Sequence, residues 1–199
     1  MTSSILLVRR SVLNAVFTLA SALLIGGMAA PSIQAGDLLP YKGTVEGVTL
    51  IDINLNSPSF PASFTSIADL IASHTGKGIQ ESSGDLILDA NFCIQANGTS
   101  VTTAANGEVV FVEFFLQELV PTVVSLTEDG HPIISFPSPE NPHPYDGTYR
   151  IYQLADDGTR IYGFGEGVIV GENYGIGYCH TFNGTIAKSV LKTQPAKKK

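Results

Sequence analysis

Apolar and polar positions alternate with a period of two along most of the chain, and no stretch holds the spacing of a long amphipathic helix. In residues 41–55, Val45, Thr49, Ile51, Ile53 and Leu55 share one side of an extended chain. Lys42, Glu46, Asp52 and Asn54 take the other side, which predicts a half-buried first strand. Residues 86–95 alternate as cleanly, setting Leu88, Ala90, Phe92 and Ile94 against Asp89, Asn91, Cys93 and Gln95. Residues 108–120 predict a strand apolar on both faces: Val109, Phe111, Phe115 and Leu119 lie on one, Val110, Val112, Phe114 and Leu116 on the other. Such a strand is covered twice, by the core and by a further segment or a second subunit. Residues 66–73 depart from the rule: Ser66 can cap a short helix carrying Ile67, Leu70 and Ile71, with an irregular path as the alternative.

Turn dipeptides punctuate this pattern at Ser83-Gly84, Asn97-Gly98, Asn106-Gly107, Asp129-Gly130 and Asp157-Gly158. Asn-Gly and Asp-Gly supply the positive φ angles of tight hairpins, so each predicts a fold-back between antiparallel strands. Further strands are expected at 131–136, 147–154, 160–170 and 174–190, with a rigid proline-rich loop at 137–144. Glycines fall on alternate positions at Gly163, Gly165 and Gly167, and again at Gly175 and Gly177. Alternate glycine bares one face of a strand, which lets the sheet bend or lets a ligand or backbone come close. Tyr162, Phe164, Val168, Val170, Tyr178 and Phe182 are left as the apolar face. Together these elements predict an all-β fold, an antiparallel meander closing into a barrel of about eight strands. A β-sandwich is the alternative.

The first 35 residues fall outside that pattern. Arg9-Arg10 precede an uncharged apolar run, and Ala35 offers a small residue for cleavage, so residues 1–35 are expected to be a secretory signal peptide and the protein secreted or periplasmic. A single barrel domain is expected over 36–191 and a disordered basic tail over 192–199. Losing Arg9 and Arg10 leaves 9 bases against 18 acids and moves the net charge from −7 to −9. That balance argues against nucleic acid as a partner and, once the signal is cut, against an anionic membrane. In an oxidising compartment Cys93 and Cys179 are expected to form a disulfide, with two buried thiols as the alternative. The scattered His and Cys residues have no metal-ligand spacing, and no metal or cofactor is expected.

Glu113 is the most suggestive candidate for catalysis, because Phe111 and Phe115 flank it on one strand face. If that face lined the barrel, desolvation would raise its pKa and suit it to acid–base chemistry. An outward face, or pairing with Arg150 or Arg160, would make it structural. Tyr149, Tyr152, Tyr162 and Tyr178, with Phe111 and Phe115, are candidate ligand-binding residues or simple wall packing. His74 and His180 read as structural histidines.

Four segments carry a family resemblance: Ala72-Ser73-His74-Thr75-Gly76-Lys77, Ala104-Ala105-Asn106-Gly107-Glu108, the glycine-punctuated stretch 157–167, and Phe182-Asn183-Gly184-Thr185-Ile186. In these the chain resembles small exported bacterial β-barrel proteins related in fold to allene oxide cyclases and dirigent proteins. The resemblance implies an allene-oxide-cyclase-like or calycin-like barrel and transfers no activity. The leading expectation is a non-catalytic binding module for a hydrophobic small molecule or surface component. The alternatives are a cyclase-like or dirigent-like enzyme that steers ring closure or coupling, and a structural or adhesive homo-oligomer subunit joined through 108–120.

Overall fold

The computed structural model describes residues 37–53, 62–126, 128, 132–134 and 137–192. The expected signal segment, the Asp129-Gly130 turn and the tail beyond Lys192 lie outside these residues. Ten strands follow in order: β1 Leu38–Ile53, β2 Ala62–Ala72, β3 Gly76–Leu88, β4 Ile94–Ala104, β5 Val109–Glu118, β6 Val123–Leu126, β7 Pro132–Ile134, β8 His143–Leu154, β9 Arg160–Asn173 and β10 Gly177–Ala187. A single turn of 3-10 helix, Val190–Lys192, comes last. Eight strands close an antiparallel barrel in the order β1-β10-β9-β8-β5-β4-β3-β2, with β2 returning to β1. The pair β6–β7 forms a separate two-stranded sheet.

One face of every wall strand points inward, and the inward set is the core: Tyr41, Val45, Phe64, Leu70, Val110, Phe114, Tyr145, Ile151, Ile169 and Ile186 are all buried. The outer faces carry charges mid-strand, such as Glu46, Asp69, Glu81 and Glu166. Between these charges the outer faces also expose apolar side chains, among them Val48, Ile67, Ile71 and Val168. One end of the barrel is shut. The terminal helix touches both β5 and β10, which lie apart in the wall, so it lies across the opening and buries Val190 over Ile151 and Ile186. Lys188 N donates to Asp37 O at 2.9 Å and ties the last strand to the first there.

The closed fold corrects several expectations. Residues 66–72 belong to strand β2 and Ser73 opens the turn after it, with Phe64, Ala68, Leu70 and Ala72 inward and Ile67 and Ile71 exposed. Apolar residues on both phases of that strand imitate helical spacing, and pairing on both edges decides the matter. Ser83-Gly84 and Asn97-Gly98 are not turns: they sit mid-strand, with Gly84 directly opposite Gly98. The missing side chain of Gly98 makes room for the Phe114 ring, whose Cζ stands 2.7 Å from where a Cβ would be, and a Cβ on Gly84 would stand 2.6 Å from the Gly98 Cα.

The real β3–β4 turn falls inside the cleanly alternating 86–95 segment. Asp89 builds it, its Oδ1 accepting from Asn91 N at 2.8 Å and Cys93 N at 2.9 Å, while Phe92 takes a positive φ of 61°. Asn106-Gly107 and Asp157-Gly158 do turn, Gly107 N donating to Ala104 O at 2.8 Å and Gly158 N to Ala155 O at 2.9 Å. Val168 and Val170 face outward, because the alternation of β9 changes phase at Gly165 (φ 150°), in the irregular pairing between Arg150 and Tyr152.

The expected disulfide does not form, and both cysteines are free. Cys93 lies in the turn before β4 and Cys179 on β10, and these strands stand four places apart whichever way round the wall is followed.

The glycines of β9 make room for the tyrosines of β8. Tyr145, Gly171 and His180 are in register across β8, β9 and β10, and a Cβ on Gly171 would stand 2.5 Å from the His180 Cβ. At Gly167, a Cβ would stand 2.6 Å from the Tyr149 ring. Gly171→Val is therefore expected to cost about 1–3 kcal/mol, several degrees of melting temperature. Val168→Ala on the exposed face should cost less than about 0.5 kcal/mol. Equal melting of Gly171→Val and wild type would show that the tyrosines do not need the bare strip. Alkylation of unreduced protein should label both cysteines after denaturation and, in the native state, Cys179 before the buried Cys93. Failure to label the denatured protein would mean that the cysteines are paired and this wall order is wrong.

Candidate functional site

The barrel interior is not packed solid. A cavity of about 140 Å³ lies between the sheet walls. That is close to the ~150 Å³ of an engineered apolar cavity that takes up benzene. Phe64, Leu70, Leu86, Phe114, Leu116 and Ile169 supply its apolar surface. The side chain of Ile51 also lines it and is 43 % exposed, so the cavity reaches the surface beside β1, at the end opposite the terminal helix. Aromatic rings pack against one another around it: Tyr41 and Phe182 at 5.0 Å, Phe64 and Phe114 at 6.2 Å, and Tyr149 edge-on to Phe182 at 5.9 Å.

Polar groups enter this apolar surround at defined places. The hydroxyl of Tyr145 lies 2.9 Å from Nδ1 of His180, and the imidazole stacks on Tyr178 at 5.7 Å. Burial lowers the His180 pKa to about 4, leaving the ring neutral at neutral pH. Burial, followed by the nearby ionisable groups led by Tyr178, raises the Tyr145 pKa, so the phenol keeps its proton. Phenol and imidazole are thus both neutral, and they share one hydrogen bond whose donor is set by the imidazole tautomer. Tyr178 donates to Ser66 Oγ at 3.3 Å, and burial raises its pKa too. Tyr149, likewise raised by burial and by neighbouring Tyr41, donates to Tyr41 O at 3.5 Å.

At the mouth end of β5, Glu118 is a buried carboxylate with every side of it occupied. Its Oε2 accepts from Thr122 Oγ1 at 2.9 Å and faces Nδ1 of His143 at 3.3 Å, and its Oε1 accepts from Asn173 Nδ2 at 3.3 Å. The sequence held a signal for this group, since Glu118 shares the phase of Val110, Phe114 and Leu116 and so stands in an apolar register. Gln80, Ser82 and Thr102 also line the cavity.

Glu113, Phe111 and Phe115 lie on the outside of β5, which corrects the expectation that they line the barrel. Inward position belongs to the opposite phase, where Val110, Val112, Phe114 and Leu116 lie between the buried side chains of Glu108 and Glu118. Glu113 pairs instead with Arg150 at 2.6 Å and Arg160 at 3.0 Å, and accepts from the Tyr162 hydroxyl at 3.1 Å. Partial burial pushes its pKa up, but these hydrogen bonds and the two guanidinium charges outweigh burial and hold it below the usual range. The guanidiniums of Arg150 and Arg160 lie over the rings of Tyr162 and Tyr152 at 4.8 and 4.9 Å. Of the residues expected to bind a ligand, Tyr149 and Tyr178 reach the cavity, while Phe111, Phe115 and Tyr162 belong to this outer cluster. Among the described residues no group of His, Cys, Asp and Glu is arranged to hold a metal.

The buried imidazole makes stability depend on pH. The unfolded chain binds a proton on this histidine near pH 6.5, whereas the folded chain binds it near 4. Stability is therefore full above about 6.5 and falls as pH drops toward 4, by about 3 kcal/mol from this group alone. Urea midpoints over that range should fall more steeply for wild type than for His180→Gln. Parallel slopes would mean that His180 protonates as easily in the barrel as in the open chain.

No family model, no curated protein and no solved structure matches this chain.

Proposed function

We propose that this barrel is a binding protein for one compact, mostly apolar molecule held in its interior. The observation that carries the reading is the cavity itself, walled by Phe64, Leu70, Phe114 and Ile169, shut at the helix end and reaching the surface beside Ile51. A barrel of this strand number can be filled by its own side chains. An unfilled, largely apolar interior with a few placed polar groups is the usual character of a small-molecule site. The resemblance to exported barrels related to allene oxide cyclases and dirigent proteins agrees with this reading in fold and adds no chemistry to it.

A catalytic reading has one observation in its favour, the Tyr145–His180 pair. A neutral imidazole held by a phenol beside an apolar cavity is a competent proton acceptor or donor. Glu113 contributes nothing to it, because its charge is tied up on the far side of the wall. Native mass spectrometry of the purified chain, followed by titration with toluene and indole, tests the binding reading. A one-to-one adduct and saturable binding are expected. Ala96→Phe, which fills the cavity, should abolish binding, and Glu113→Gln on the outer face should leave it unchanged. No saturable binding, or equal binding by Ala96→Phe, would overturn the reading.

A further inference from the structure

The inward residues of β3 run Gln80, Ser82, Gly84, Leu86 from the closed end toward the mouth, and those of β4 run Thr102, Ser100, Gly98, Ala96, Ile94. Both strands are thus polar in their deep half and apolar or bare near the mouth. The register sets Gln80 opposite Thr102 and Ser82 opposite Ser100, so these polar side chains form one patch. All are buried, at 9 % exposure or less, and none has a side-chain hydrogen bond within the described protein. The Ser100 hydroxyl is sealed off completely, whereas Gln80, Ser82 and Thr102 face the cavity.

We infer that the bound molecule carries an uncharged head group able both to donate and to accept hydrogen bonds, an alcohol or an amide, seated at Gln80, Ser82 and Thr102. This rests on the binding reading above and adds the chemistry of the head. Buried amides and hydroxyls are paired in folded proteins because leaving them unpaired loses their hydration without return. A patch of them open only to the cavity finds its partner there. The glutamine amide offers both a carbonyl and N–H donors, and each hydroxyl can play either part, which suits a group of the same dual character. Among the described residues no Lys or Arg lines the cavity, and the one carboxylate there, Glu118, is already held by Thr122 and Asn173. An ionised head would be desolvated without a counter-charge. The apolar body of the ligand then lies toward the mouth against Leu86, Ile94 and Leu116.

Calorimetric titration of the full chain at neutral pH with toluene, benzyl alcohol, benzoate and benzylamine separates the outcomes. Benzyl alcohol is expected to bind about tenfold more tightly than toluene, a ratio typical of one well-made buried hydrogen bond. The two ions should show no measurable binding. Gln80→Leu and Thr102→Val should each erase the preference for the alcohol while toluene still binds. Ligand-free Gln80→Leu should melt no lower than wild type, because it replaces an unpaired amide with an apolar chain of similar size. If wild type binds toluene as well as the alcohol, or neither variant changes the preference, the patch is merely hydrated; the inference then falls and the binding reading stands. If none of the compounds binds, the binding reading fails and takes the inference with it.

Discussion

Two tyrosines of β8 reach across β9 toward β10, and they do so because Gly171 and Gly167 leave that strip of β9 bare. Tyr145 thereby meets Nδ1 of His180, and Tyr149 reaches the carbonyl of Tyr41 beyond β10. A side chain at either glycine would turn the rings into the lumen, where they would occupy the space that is now cavity. The imidazole of His180 also stacks on Tyr178. Barrel shape, cavity volume and the orientation of the one buried imidazole on β10 follow from that close approach.

Much of this was legible from period-two patterning. The all-β barrel, the first strand, the turns at Asn106-Gly107 and Asp157-Gly158 and the importance of the β9 glycines could all be read from residue order. What could not be read was which face of a two-faced strand points inward. In β5 both phases are apolar, and only closure of the wall decides that Phe114 goes in and Phe115 out. That choice carries Glu113 to the outside with its arginines. Ser83-Gly84 and Asn97-Gly98 misled for a related reason: glycine makes a turn easy, and it also makes space under a ring, and local sequence does not distinguish the two uses. In β2, apolar residues on both phases hid the strand altogether.

The segments that carry the family resemblance also have an intelligible place. Ala72 to Lys77 and Ala104 to Glu108 are hairpin connections at the closed end, joined there by Ala105 N donating to Lys77 O at 2.8 Å. The 157–167 segment leads from the next such turn into the irregular part of β9. These sequences specify how the wall turns and closes. The polar side chains of the interior, Gln80, Ser82, Thr102 and Glu118, stand outside these segments.

The two polar clusters differ in how far their members satisfy one another. On the outer face, Glu113, Arg150, Arg160 and Tyr162 satisfy one another and leave little for a ligand to gain. Half-exposed ion pairs of that kind are worth ~1 kcal/mol or less and are screened by salt. Inside, the deep hydroxyls and the Gln80 amide have no side-chain hydrogen bonds among the described residues, and they face the cavity. A sequence under selection for folding alone would replace them with leucine and valine and gain stability. Their presence in a wall otherwise built from Phe, Leu and Ile is a standing cost in folding free energy, which a bound polar group would offset on the binding reading proposed above.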